Sequence, residues 1–365
     1  MLHAKDAPCE VLIRPTDTRY AEEIRQFQGC PTVAVTRGGR VYAGWYSGGT
    51  REPHMENYNL LTYSDNGGES FSTPYLVIPS SKERFVQALD IQLWIDPLGH
   101  LHVFWVQNDT HPAPEIPPER NENRIEVVVD GYLFNDFTHA CWEMICEDPD
   151  AAEPQFSAPR YLGIGFLRCK PTVLADGTWF YCNYDQTCDR YGYSLSRDGG
   201  KTLERHYGAE KLETPFDETM VYQRADGSIH MLARTRLGQI GESVSADNGK
   251  TWTPAVLNGI THPNTRLYVA YTPSGKLLRV HSDHPTDRTN LTVSLSEDEG
   301  RTWAHKCRVD TRKSVSYPDV DFCGERIYLI YDRERTGAKE ILMTSFTEED
   351  VINGTIPTPH VISKP

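Results

Sequence analysis

The chain reads as an all-β protein of the six-bladed β-propeller class. Three observations lead there: a short phrase repeated four times, a hairpin pattern repeated six times, and a composition rich in turn formers. The phrase is Ser-x-Asp/Asn-x-Gly-x-Ser/Thr-aromatic, at 64–71 (SDNGGESF), 196–203 (SRDGGKTL, where Leu203 replaces the aromatic), 245–252 (SADNGKTW) and 296–303 (SEDEGRTW). Self-similarity of this kind in a long chain marks an array of equivalent small sheets. The Asp or Asn bonds nearby backbone amides, the glycine accepts positive φ, and the terminal aromatic plugs between neighbouring sheets. Each octet is thus a hairpin turn with its own anchor. Asp198, Asp247 and Asp298 are accordingly read as scaffold.

The second pattern is a strand, a tight turn and a second strand rich in aromatic and β-branched residues. It spans 31–46, 90–107, 170–184, 218–234, 266–281 and 317–332, with turns at Gly38-Gly39, Pro97 to Gly99, Asp176-Gly177, Asp226-Gly227, Ser274-Gly275 and Cys323-Gly324. In four units the repeated phrase follows as the turn between the third and fourth strands, giving one four-stranded blade per unit. A further strand is expected near 340–346 and an unpaired one at 10–15. Pairing these two ends would close a single domain over 1–365 and remove its exposed edges.

Composition agrees with this fold: 38% hydrophobic residues over 365 positions, with 24 prolines and 27 glycines, supply a large core and many turns. A net charge of −14 without a basic run argues against nucleic acid. The opening MLHAKDAPCEVLIRP lacks a cationic segment followed by an apolar run, and no stretch approaches a membrane span, so a cytoplasmic location away from membranes is expected. Nine cysteines without a CxxC pair point to reduced, mostly buried thiols. His100 and His102 alternate on one strand face without a third ligand at a sensible spacing, so they are read as strand residues and neither metal nor cofactor is expected. The Pro-rich insertion 108–125 is read as a lid or as a passive surface loop.

In a propeller, the starts of the innermost strands and the ends of the next strands gather near the axis. That rule collects Asp90, Gln92, Lys170, Asp217, Glu218, Arg266 and Tyr317 from the starts, and Trp45, Arg234, Arg236 and Asp332 from the ends. Aromatic rings stack on sugars while guanidinium and carboxylate groups hold hydroxyls or an anion, so a carbohydrate is the expected guest.

These residues carry a family resemblance. The repeated phrases are similar to the Asp boxes of the sialidase (neuraminidase) superfamily. The chain also resembles sialidase-like BNR-repeat proteins through Trp45-Tyr46-Ser47-Gly48-Gly49-Thr50, Phe216-Asp217-Glu218, Ser316-Tyr317-Pro318-Asp319 and Tyr331-Asp332-Arg333. The resemblance implies an exo-acting glycoside hydrolase in which Tyr317 is the nucleophile and Glu218 its base, while Arg234 and Arg288 hold a substrate carboxylate. The chemistry is coherent on its own terms: a phenol becomes a nucleophile when a carboxylate takes its proton, and a neutral nucleophile is not repelled by an anionic sugar.

The first unit departs from the pattern. The family's Arg-Ile-Pro falls on Gly29-Cys30-Pro31, so one arginine of three is missing, with Arg51, Arg236 or Arg266 as replacements. No Asp stands in the loop 50–57; His54 is the acid expected there, with Glu52 and Glu56 as rivals. Arg236, Arg266, Asp90, Gln92, Trp45, Glu52 and Lys170 complete the expected binding set. The guest is expected to be an acidic sugar other than sialic acid, such as a 3-deoxy-ulosonic acid or a uronate, with a neutral deoxy sugar as the alternative. Two alternatives stand beside hydrolysis: elimination across a uronic acid, and sugar binding without chemistry.

Overall fold

The computed structural model describes residues 2–115, 127–134, 138–214 and 216–365; the section 116–125 of the expected insertion lies outside them. The chain divides into two compact units, one of Met1–Phe166, Arg335–Ile341 and Ile362–Pro365, the other of Leu167–Glu334 and Leu342–Val361.

All six expected hairpins form. In the first unit Phe27–Val35 pairs with Val41–Gly48, and Val86–Ile95 with Leu101–Asp109. Antiparallel strands extend each outward, Tyr58–Ser64 and Leu76–Pro79 on the first sheet, Ala140–Cys146 and Arg160–Ile164 on the second. The second unit repeats the arrangement from Thr172–Val173, Met220–Gln223, Tyr268–Tyr271 and Val315–Cys323, each opening an antiparallel sheet of four strands.

The expected pairing of the chain ends is not what forms. Leu12–Ile13 lies on the outer edge of the first sheet, with Leu12 opposite Val77, and the last sheet takes its fourth strand from His360–Ser363. A short helix makes this possible. Thr347 and Asp350 form a capping box at the start of Glu348–Asn353, and Gly354 ends it in the left-handed conformation, so the chain doubles back beside Glu340–Phe346. The chain thus supplies a partner for that strand locally, and a distant one is not required.

Period-two patterning builds the cores. In Leu291–Ser296 the residues Leu291, Val293 and Leu295 turn into the hydrophobic cluster that also holds Leu277, Val280 and Leu329. Each such side chain contributes about 1.5–3 kcal/mol when removed from water. All nine thiols are free, and seven of them are buried. His102 is a strand residue as expected, its Nδ1 2.7 Å from Glu143 Oε1, whereas His100 stands in the turn just before Leu101–Asp109; both rings reach Asp96.

The repeated octets are locally saturated turns. Asp247 Oδ1 accepts from Ser245 Oγ (2.8 Å) and Thr251 N (2.8 Å), its Oδ2 accepts from Thr251 Oγ1 (2.6 Å), and Gly249 N donates to Ser245 Oγ (2.8 Å). Asp198 and Asp298 repeat the pattern. Trp252 anchors its turn edge-on to Phe180 and Tyr193 of the preceding sheet and donates to the Tyr193 hydroxyl at 3.1 Å. Bonds from the threonines hold the three carboxyls down at about 2. A depressed carboxylate contributes stability that is complete above its unfolded value, near 4, and disappears as pH falls through its folded value. Replacing Asp198, Asp247 and Asp298 together by Asn is expected to lower Tm at pH 7 by several degrees. The gap from the parent should close between about pH 4 and pH 2, as followed by thermal melts across that range.

Candidate functional site

Two side chains that define the site stand on backbone that L-residues seldom adopt. The pairing of Val315–Cys323 with Arg326–Arg333 slips between Ser316 and Asp319, and Tyr317 occupies the slip with φ of 54°. Pro318 follows, and because proline has no N–H the slip sacrifices little of the ladder. Glu218, two residues before Met220–Gln223, has φ of 39°. Such positions cost about 1–3 kcal/mol each and cluster where a side chain must be aimed.

Both residues are buried, and they meet. The Tyr317 hydroxyl donates to Glu218 Oε1 at 2.5 Å, while Arg234 Nη1 donates to Glu218 Oε2 at 2.8 Å and to the Tyr317 oxygen at 3.1 Å. Asn264 Oδ1 fixes the far side of that guanidinium by accepting from Nε at 2.6 Å, and Phe216 lies under it at 5.1 Å. Arg234 is placed by its own strand, since its N–H donates to Asp217 O at 3.0 Å. Burial on its own would push the Glu218 carboxyl up. Arg234 and Arg168 outweigh it, together with the bonds from Tyr317 and Arg234, and hold the group below the usual carboxylate range. Asp217 goes the other way: burial pushes it up to about 7 against the pull of Lys211 at 2.9 Å. An ionised carboxylate against a phenol proton, with a guanidinium touching both oxygens, is a pair built to pass a proton.

The remaining sequence-derived residues of this unit separate by environment. Arg288 is half-buried, 5.6 Å from the Tyr317 ring centroid, with Nη2 donating to Asn264 O at 3.1 Å. Unlike the buried Arg234, it is a cation beside the phenol that solvent reaches. Arg266 is 1% exposed; its guanidinium donates to the carbonyls of Arg168 and Pro318 and lies 3.6 Å from Asp319. The binding role expected of it is replaced by a framework role, holding the Tyr317-Pro318 segment. Lys170 lies between Asp319 (3.6 Å) and Asp321 (3.5 Å), and Arg236 is exposed on its loop. Ser316 Oγ donates to Asp332 at 2.5 Å beside the Tyr317 backbone.

The other expected residues belong to the first unit. His54 is buried, with Nε2 donating to Asp130 Oδ2 at 2.7 Å and Nδ1 accepting from Glu56 N at 3.0 Å. It lines a cavity of about 900 Å³ together with Tyr20, Arg25, Tyr58 and Asp130. Gln92 is fully buried and donates to Thr32 Oγ1 at 2.8 Å, and Trp45 is buried with its indole N–H on Gln28 Oε1 at 3.1 Å. Both side chains serve the sheet interior instead of the binding role expected. Asp90 repeats the aiming device, at φ of 58° where the ladder slips between Leu89 and Gln92, and Cys30 does the same at 56°. The Cys30 thiol and one oxygen each from Glu52 and Asp90 lie within 4.8 Å of one another.

Two arginines were missed by the sequence reading. Arg335 donates to Glu52 Oε2 at 3.2 Å and lies over Gly29, where an added Cβ would come within 2.7 Å of its Cγ and Cδ. A guanidinium therefore stands where the family pattern lost one, delivered from a strand end near the far terminus. Arg168, 1% exposed, has its guanidinium 5.2 Å from the Tyr317 ring centroid. Its place two residues ahead of Lys170, at the equivalent strand start, was the available signal.

A family model described as "BNR repeat-like domain" matches residues 147–329. No curated protein matches the chain. Among solved structures it is similar to a protein of unknown function from Dyadobacter fermentans, with 16% identity over 91% of this chain and 95% of that one and a TM-score of 0.66. It is similar to the NanB sialidase of Streptococcus pneumoniae, with 15% identity, 95% and 71% covered and a TM-score of 0.66. The intramolecular trans-sialidase of Ruminococcus gnavus, bound to oseltamivir carboxylate, gives 14% identity, 94% and 98% covered and a TM-score of 0.65. At these identities the likeness is one of fold, a sialidase-like β-propeller.

The framework reading of Arg266 separates from a binding role in a single experiment. Arg266→Met removes the buried donor that the carbonyls of Arg168, Tyr317 and Pro318 share and one of the cations beside Asp319, and is expected to cost about 3–5 kcal/mol of unfolding free energy in urea titration. Arg236→Ala, on an exposed loop, is expected to stay within about 0.5 kcal/mol of the parent.

Proposed function

The chain belongs to the BNR repeat-like family, and on that premise we propose that it is a sialidase-like exo-glycoside hydrolase acting on an acidic sugar at a glycan terminus. The observation that carries the reading is the 2.5 Å bond from the Tyr317 hydroxyl to the Glu218 carboxylate, with Arg234 donating to the other carboxylate oxygen and to the phenol oxygen. In the reaction Glu218 takes the phenol proton as Tyr317 bonds to the anomeric carbon, and the glycosidic oxygen leaves with a proton from a general acid. Water then cleaves the glycosyl-tyrosine, giving net retention. Two features support an anionic guest: four guanidinium groups around one phenol, and a nucleophile that carries no charge until it reacts. Arg288 is the solvent-reachable member and is assigned to the substrate carboxylate.

The test is a panel of 4-methylumbelliferyl glycosides of sialic acid, 3-deoxy-ulosonic acids, uronic acids and neutral deoxy sugars. Tyr317→Phe is expected to lose at least about 10³-fold in kcat while retaining sugar binding by calorimetry, and Glu218→Gln about 10²–10⁴-fold. Full activity in Tyr317→Phe would refute the assignment. A product absorbing in the near ultraviolet would reassign the chain to uronate elimination, and binding across the panel without product would make it a lectin. Because Glu218 is held below the ordinary carboxylate range, the acidic limb of kcat/KM attributable to the base is expected below about pH 4.5. A pH–rate profile of the parent checks this.

A further inference from the structure

Tyr317 is surrounded by more positive charge than its proton acceptor requires. Arg234 touches both the phenol oxygen, at 3.1 Å, and Glu218, at 2.8 Å, so it stabilises negative charge on either partner. Three other guanidinium carbons lie at 5.2, 5.6 and 5.6 Å from the Tyr317 ring centroid, those of Arg168, Arg266 and Arg288. They differ in what else they do. Arg266 is anchored to carbonyls and to Asp319, which Lys170 also neutralises. Arg288 is half-buried and bonds Asn264 O. Arg168 is as buried as Arg266, and its carbonyl accepts from the Arg266 guanidinium, so the two arginines are linked beside the phenol. Cys169, the next residue, directs its thiol to Glu218 O at 3.8 Å, and burial pushes that thiol up to about 12, so it stays neutral at physiological pH and adds no charge. The remaining neighbour, Asp332, is occupied by Ser316.

We propose that Arg168 is a positioning residue for the nucleophile: its buried guanidinium against the Tyr317 ring stabilises the phenolate when the proton transfers. The charge that helps hold Glu218 ionised thus also receives the negative charge on the tyrosine. The inference rests on the reading of Tyr317 as nucleophile. The step is balanced within the pair, since the phenol O–H breaks, the carboxyl O–H forms and one negative charge moves from Glu218 to Tyr317. Arg234 bonds the phenol oxygen directly, and Arg168 adds a second buried positive charge against the ring on which the phenolate charge is delocalised. Arginine suits the place because its charge is delocalised, flat and weakly hydrated, so it survives burial against an aromatic face. At 1% exposure it is too enclosed to grip a substrate, which separates its role from that of Arg288.

The experiment places 3-fluorotyrosine at 317 and follows its phenol ionisation by ¹⁹F NMR without substrate, in the parent and in Arg168→Met, Arg168→Gln and Arg168→Lys. The neutral variants are expected to move the midpoint up by about one pH unit or more, a tenfold loss in ionisation constant, while the lysine variant stays near the parent. On any glycoside the parent hydrolyses, the neutral variants are expected to lose about 10–100-fold in kcat with KM little changed, and fluorination of Tyr317 should narrow the deficit. A packing role would leave the midpoint fixed and the fluorine without effect. A folded neutral variant with an unshifted midpoint overturns the proposal. If only Arg168→Lys folds, a midpoint more than half a unit above the parent overturns it; if no variant folds, the role is packing and the proposal falls. A chain that hydrolyses nothing yet shows the shift keeps this inference about the phenol and loses the hydrolase reading.

Discussion

The site depends on a backbone constraint: Glu218 and Tyr317 both occupy the left-handed region, at φ of 39° and 54°, where a side chain leaves the alternation of its strand. Ordinary pleating would send consecutive side chains to opposite faces of the sheet, into neighbouring cores. The slip in the last sheet releases Tyr317 from that alternation, and Pro318, which has no N–H to lose, makes the release inexpensive. The strain is small beside the packing of each strand, for Val315 and Val320 flanking Tyr317 are both fully buried. The rigid sheet therefore holds a conformation that a loop would abandon.

Given two aimed side chains, electrostatics decides what they do. A carboxylate as enclosed as Glu218 would ordinarily accept a proton and become useless as a base; the guanidinium at 2.8 Å reverses that tendency. Asp217, one residue away and equally enclosed, has an ammonium partner that pulls less strongly, and its carboxyl rises to about 7. The contrast separates the two acids by mechanism and not by sequence. Burial is common to both, and the planar cation that bridges carboxylate and phenol belongs to one.

Much of the fold was legible because its signals are local. The octets state their own hydrogen bonds, and Asp247 with Ser245, Gly249 and Thr251 is the arrangement that the letters imply. The six hairpins announce themselves through glycine turns between β-branched runs. Of the site, Glu218, Tyr317, Arg234 and Arg288 were legible because each stands at a strand start, a strand end or beside an octet, places that the repeat numbers in advance. What failed was non-local. Nothing in the spacing tells that Arg266 is engaged by backbone carbonyls and a carboxylate, or that Gln92 is consumed by Thr32. The outer edges failed for a different reason. Two short strands, Leu12–Ile13 and His360–Ser363, carry too few residues for periodicity to say which neighbour they join.

Arg335 illustrates the limit most sharply, because its position is legible only together with a glycine more than three hundred residues away. The family pattern has a side chain at the place of Gly29, and a reading confined to that segment finds a cation lost. The Arg335 side chain fills the space that a Cβ at 29 would claim, at 2.7 Å from two of its carbons, so the two occupancies exclude each other. Glu52 then anchors the incoming guanidinium at 3.2 Å, in the loop that also lacks the family's aspartate. Absence of a residue at one position and arrival of another from a distant strand are thus a single steric fact. An arginine placed back at 29 would collide with its replacement before it could restore anything. A guanidinium is thus present beside Gly29 although the letters of that segment carry none, which is why composition of a motif and composition of a site need to be read separately.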